Sequence, residues 1–231
     1  MFQKCVLLFI FTVTLWSGDV LLDEHFHSLS AWEGVKFEKI DRLSSYTPSS
    51  SGLILESNDA ASALRLKGRY DPKIYPIIAF EWKASICEIY GDSMQKSGDD
   101  APLRLYVAWE YDPSQSDWFE KMLYGVLKLF YGEYPPKAVL NYIMTSKEMG
   151  TLSYVSPYTD KVKMIPLDSC EKSLGVWQYH QIDVIADYKT IFGTAPSGKA
   201  TLGIMADTDN THGHSLAYIS HIIISSNKIK E

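Results

Sequence analysis

The sequence predicts an all-β protein, an antiparallel two-sheet β-sandwich of jelly-roll or lectin-like type with one inserted helix. Apolar and polar residues alternate with period two along most of the chain, clusters of turn-forming residues separate the runs, and a single segment changes to helical spacing. Many short strands with little helix between them must bury one face each, and stacking two sheets does this.

The strongest alternation is Ile78, Phe80, Trp82, Ala84 and Ile86, with Glu81, Lys83 and Ser85 between them. Leu103, Leu105, Val107, Trp109 and Tyr111 repeat it against Arg104 and Glu110. Trp82 and Trp109 share a face with aliphatic residues and are assigned to the core. Further strands are expected at Val20–Phe26, Leu53–Ser57, Ala63–Lys67, Ala138–Thr145, Thr151–Val155, Val162–Leu167, Trp177–Ile185, Thr201–Ala206 and Leu216–Ser225. Turns are marked by Ser49-Ser50-Ser51-Gly52, Ser97-Gly98-Asp99-Asp100, Pro135-Pro136 and Pro196-Ser197-Gly198. The helix is expected over 117–131. There Trp118, Met122, Val126, Leu129 and Phe130 form a stripe, Asp117 and Glu120 can make a capping box, and Gly132 and Pro135 end it.

The first residues have the three parts of an export signal: Lys4, an apolar run from Cys5 to Trp16, and small Ser17. That run is shorter than the roughly 20 residues a membrane span needs. The expectation is a signal peptide over 1–17, a single domain over 18–231, a periplasmic or secreted location, and no transmembrane span after cleavage. Cleavage removes one lysine and leaves 21 basic residues (22 − 1) against 28 acidic ones, a net charge of −7. That balance argues against nucleic acid, whose phosphates need a basic face. Cys87 and Cys170 remain. They fit one disulfide or two unrelated buried thiols, and the second is favoured because a domain of this size needs no staple.

Several blocks carry a family resemblance. They are Ser97-Gly98-Asp99-Asp100-Ala101-Pro102-Leu103-Arg104, Gly175-Val176-Trp177, Ala186-Asp187-Tyr188 with Phe192-Gly193, and Gly203-Ile204-Met205-Ala206-Asp207-Thr208-Asp209-Asn210-Thr211. Together they resemble the bacterial family catalogued as domain of unknown function 3047, whose members are mostly exported. The similarity runs from about Trp32 to Ile224. It implies a compartment and a class of fold, and no reaction. At Asn141-Tyr142-Ile143-Met144 the chain departs from the family's usual order of tyrosine, aliphatic residue and tryptophan.

Asp99 and Asp100 precede a strand on which Arg104 lies opposite Leu103 and Leu105, so a carboxylate pair stands near a fixed guanidinium. With Asp187, these residues are the candidate ligand-binding set. Asp207, Asp209 and Asn210 sit in a connecting turn and can converge oxygens on calcium, or else accept backbone N–H groups in an Asx-type turn. His212 and His214 are read as a solvated loop tip, and His180 and His221 as packed or surface side chains on strands.

Catalytic motifs are weak. Glu110-Tyr111-Asp112-Pro113-Ser114-Gln115 approaches the paired carboxylates of a retaining glucanase but ends in an amide, and Pro113 stops the strand. No Gly-x-Ser-x-Gly elbow, His-Glu-x-x-His or phosphate-cradling loop occurs. The expected function is an exported, non-catalytic binding module for a glycan or similar polar envelope ligand, with calcium as a candidate cofactor. Two alternatives remain: a carbohydrate-active hydrolase or lyase using paired Asp and Glu, and a structural envelope or assembly component. The step from sandwich to glycan rests on fold-level analogy.

Overall fold

The computed structural model describes residues 19–37, 40–111 and 136–229. The strands are β1 (Val20–Glu24), β2 (Trp32–Val35), β3 (Ser45–Ser49), β4 (Gly52–Asn58), β5 (Ala61–Leu66), β6 (Ile77–Glu88), β7 (Ala101–Trp109), β8 (Ala138–Thr145), β9 (Tyr154–Val155), β10 (Val162–Ser169), β11 (Gln178–Asp183), β12 (Ala200–Asp207) and β13 (His214–Ser225). They form two sheets. One has the order β11-β6-β13-β4-β3 with β1 also paired to β13, and the other is β2-β5-β12-β7-β8-β10-β9.

Alternation decides which side chains face the other sheet. In β6, Phe80, Trp82 and Ala84 are buried while Glu81 and Lys83 turn outward. In β7, Leu103, Leu105, Val107 and Trp109 meet them across the sandwich. Leu53 and Leu55 of β4, Leu140 and Tyr142 of β8, Leu202 and Ile204 of β12, and Ile219 and Ile222 of β13 complete one continuous core. Trp82 and Trp109 are both in it, as their strand faces require.

The structure departs from the expected pattern in four places. β8 and β10 run parallel, so the second sheet is mixed. β8 is buried along its whole length, which suits a parallel neighbour. The chain expected as strand through Ile185 instead leaves β11 at Asp183, which caps helix α2 (Val184–Phe192) by accepting from the N–H groups of Ile185 and Ala186. That helix stops at Gly193 in the left-handed conformation. A second short helix, α1 (Cys170–Ser173), follows β10. β2 and β3 were not expected either: both are short, and β3 carries Pro48. The export signal and the expected helix over 117–131 lie outside the described residues. No helix among the described residues is long and apolar enough to cross a membrane.

Cys87 and Cys170 form a disulfide, against the expectation of separate thiols. Cys87 lies near the end of β6 in one sheet, and Cys170 begins α1 just after β10 of the other. The bond therefore ties the two sheets together, a pairing that sequence spacing does not reveal. It closes a segment with a sequence separation of 83. Loss of this constraint on the unfolded chain is expected to cost about 2–4 kcal/mol. Urea unfolding of the Cys87→Ser, Cys170→Ser double variant tests this, and an unchanged midpoint would show that the bond adds nothing.

Candidate functional site

Antiparallel pairing of β7 with β12 brings the start of one strand to the end of the other, with Ala101 opposite Asp207. The residues just before β7, Asp99 and Asp100, therefore meet the loop just after β12, residues 208–213. A register shift between Met205 and Asp207 adjusts this end of the ladder. The loops pack at backbone distance. A Cβ on Gly213 would sit 2.1 Å from the Glu88 carbonyl oxygen, and one on Gly98 would sit 2.5 Å from the Asp92 nitrogen. Both positions need glycine for close approach.

At the centre is Arg104, whose side chain is 2% exposed. Its Nε donates to Asp207 Oδ1 at 2.6 Å and its Nη2 to Asp207 Oδ2 at 2.8 Å, a two-point fork. Nη2 also donates to the Asp99 carbonyl at 2.7 Å and to Asp99 Oδ1 at 3.1 Å. Burial alone would pull the guanidinium down, but Asp207 and Asp99 outweigh it and hold Arg104 well above its ordinary value. Burial pushes the Asp207 carboxyl up to about 7; Arg104 opposes this shift, while Asp100 and Asp99 add to it.

Asp100 organises the loop after β12. Its Oδ1 accepts from the Asn210 backbone N–H at 3.2 Å and from Asn210 Nδ2 at 3.0 Å, and its Oδ2 from the Thr211 N–H at 2.7 Å. Asp207 Oδ1 accepts in addition from the Ala101 N–H at 3.2 Å. Asp99, Asp100 and Asp207 are thus turned inward to protein donors. Oxygens of Asp100, Asp207 and Asp209 lie within 4.8 Å of one another, and Asp209 is half-buried with its carboxyl pushed up by burial and by Asp100.

Asn210 turns its Oδ1 away from the carboxylates. It accepts at 3.0 Å from the hydroxyl of Tyr158, which also has the Lys96 carbonyl at 3.3 Å. Lys96 Nζ lies 5.4 Å from the centre of the Tyr158 ring. Tyr158 is 55% exposed. Sequence reasoning missed it; its only signal was an aromatic residue in the turn Pro157-Tyr158-Thr159-Asp160.

Asp187 stands apart. It lies in α2 and accepts from the Tyr142 hydroxyl at 2.8 Å. Tyr142 pairs with Leu105 and so projects to the core side, while Arg104 projects to the other. The structure therefore does not join Asp187 to the aspartates expected with it. His212 pairs with Asp59 at 2.6 Å and His214 with Glu56 at 3.1 Å, so the two rings hold separate carboxylates. His180 contacts Asp168 at 2.6 Å beside Trp82, and Glu110 pairs with Arg69.

The family model described as Protein of unknown function (DUF3047) matches residues 30–223. No curated protein matches the sequence. Among solved structures, the chain is similar to the family 11 carbohydrate-binding module of cellulosomal cellulase Lic26A-Cel5E of Clostridium thermocellum, at 11% identity and a TM-score of 0.42 over 93% of this chain and 98% of that one. It is similar to the metal-free carbohydrate recognition domain of Emp46p at 14% identity and a TM-score of 0.39, over 89% and 93% of the two chains. A family 12 xyloglucanase from Bacillus licheniformis matches at 9% identity and a TM-score of 0.38, over 88% and 90%. These likenesses do not assign a ligand to this chain.

Two outcomes follow from the buried pair. Arg104→Ala leaves Asp207 and Asp99 without their partner and is expected to destabilise the fold by about 3–5 kcal/mol in chemical denaturation, whereas a dispensable pair would leave it unchanged. Burial pushes the folded Asp207 carboxyl up to about 7 from the ordinary carboxylate range near 3.8, so between these values the native state favours the extra proton. Its contribution to stability is full below pH ~4 and is lost as the pH rises through about 7. The stability of the natural protein relative to Asp207→Asn should fall across that window, and parallel curves would contradict it.

Proposed function

The chain belongs to the protein family of unknown function DUF3047, and we propose that its sandwich is an exported, non-catalytic module that holds a glycan or similar polar ligand beside Tyr158. One observation carries this reading: an exposed aromatic ring whose hydroxyl is tied, through Asn210, to the buried Asp100. A tethered ring presents a flat apolar face at little entropic cost on binding. Asn210, Asp209 and Lys96 surround it with an amide, a carboxylate and an ammonium, the polar groups that engage hydroxyls. The disulfide suits the oxidising compartment that export implies.

Calcium is a second part of the proposal. Four carboxyl groups, of Asp99, Asp100, Asp207 and Asp209, gather at this end, and Arg104 pairs with two of them, Asp99 and Asp207. A carboxylate has about four lone-pair sites. The hydrogen bonds that Asp100 and Asp207 accept use three sites each, leaving one on each beside Asp209. Those oxygens are the donors that a hard cation takes.

A glycan array probed with residues 18–231, with and without calcium, tests the reading. Tyr158→Ala is expected to fold normally by circular dichroism and to weaken retained glycans about tenfold. Binding that ignores the substitution, or no glycan retained in either condition, would reject it. Calcium should raise the melting temperature relative to EDTA, and less so in Asp209→Asn. An unchanged temperature removes calcium from the account and leaves the Tyr158 site standing.

A further inference from the structure

The first sheet carries a second aromatic surface, on its outer face and remote in the fold from the β7–β12 end. Lys83 of β6 pairs with Tyr218 of β13. Gln178 of β11 pairs with Trp82, so Trp177, the residue before it, falls beside Lys83 on the other flank. Trp82 and Ile219, the neighbours of Lys83 and Tyr218, are buried in the core, which turns Lys83 and Tyr218 to the outside. The result is a row across three strands: tryptophan, lysine, tyrosine.

The row is held together. The Trp177 and Tyr218 rings are 6.4 Å apart at an angle of 62°, edge to face. Lys83 Nζ lies between them, 4.8 Å from the Trp177 ring centre and 4.9 Å from that of Tyr218. Trp177 is 38% exposed, and Val176 before it and Tyr179 on the edge strand β11 are exposed as well. The neighbouring carboxylate, Glu81, accepts from the Ser220 hydroxyl at 3.2 Å. Among the described residues Lys83 has cation–π partners and no ion pair.

We propose that this row is a binding site for an acidic polysaccharide, with Trp177 and Tyr218 stacking on the C–H faces of its pyranose rings and Lys83 receiving a uronate carboxylate. The chemistry follows from the groups present. Val176, Trp177 and Tyr179 leave apolar surface in water side by side, which suits a contact surface. Amphipathic aromatics suit a partner that is apolar on its faces and polar at its edges, as a sugar ring is. An ammonium fixed between two rings keeps N–H donors for an anion, and among the described residues it makes no ion pair with Glu81, the nearest carboxylate on its strand face. A carboxylate sugar meets both demands at once. The contact needs no residue of the Tyr158 end, so the two sites stand or fall separately.

Affinity electrophoresis in native gels containing polygalacturonate, with neutral dextran as the comparison, tests the site. Retardation is expected in polygalacturonate and not in dextran, and it should weaken as salt is added because the anion contact is exposed. Trp177→Ala and Lys83→Gln should each weaken retardation about tenfold, Lys83→Arg should keep it, and Tyr158→Ala should leave it unchanged. No retardation in polygalacturonate, equal retardation in dextran, or binding indifferent to Trp177 and Lys83 would overturn the proposal. Loss through Tyr158→Ala alone would also overturn it, while supporting the separate site at Tyr158. Circular dichroism of each variant separates loss of binding from loss of fold. If Trp177→Ala unfolds, Trp177→Phe carries the same test.

Discussion

A guanidinium buried on the outer face of a sheet is costly, and the β7–β12 end is arranged around satisfying it. Arg104 has the fork of Asp207 on one side and Asp99 on the other. Those partners come from opposite ends of neighbouring strands, so they meet only if β7 and β12 pair in the observed register. Replacing such a pair with apolar residues is often neutral for stability, whereas breaking it is not. Its contribution here is to alignment: a slip of one residue would put Arg104 on the core side with no carboxylate to meet it.

From that point order passes outward. Asp100 sits beside Asp99, takes the backbone of Asn210 and Thr211, and so fixes the loop that leaves β12. Asn210 then holds the hydroxyl of Tyr158 at the surface. The same residues thus make a closed polar interior and a preorganised exterior. Asp99, Asp100 and Asp207 turn to protein donors, and the groups beside the exposed ring are the Asn210 amide, the half-buried Asp209 carboxyl and the Lys96 ammonium.

The strands of the core were legible in the sequence because a one-sided environment imposes period two. Phe80, Trp82, Leu103, Leu105 and Trp109 all lie where alternation puts them. The parallel pairing of β8 with β10 was not legible, because it depends on which strands become neighbours and not on either strand alone. α2 was hidden for a related reason: Asp183 both ends a strand and caps a helix, and alternation through Ile182 masked the change. At the site, the link of Asp99 to Arg104 could be read from local spacing, whereas Asp100, expected beside the same guanidinium, instead takes the Asn210 and Thr211 donors. The grouping of Asp187 with them failed because the Tyr142 hydroxyl claims it on the core side. Tyr158 left only the weak signal of an aromatic residue in a turn, and the Trp177–Lys83–Tyr218 row could not be assembled from local pattern, since what sets these residues apart is exposure and contact with distant strands.

The central claim is that the buried cluster holds the exposed ring in place, and the mobility of that ring measures it most directly. Carbon-13 relaxation of the Tyr158 ring should report a well-ordered side chain in the natural protein. In Asn210→Ala it should report a loosened ring, while the amide spectrum of the core strands stays unchanged. A ring equally ordered in both proteins would contradict the account, because Asn210 would then not be what connects Asp100 to the surface.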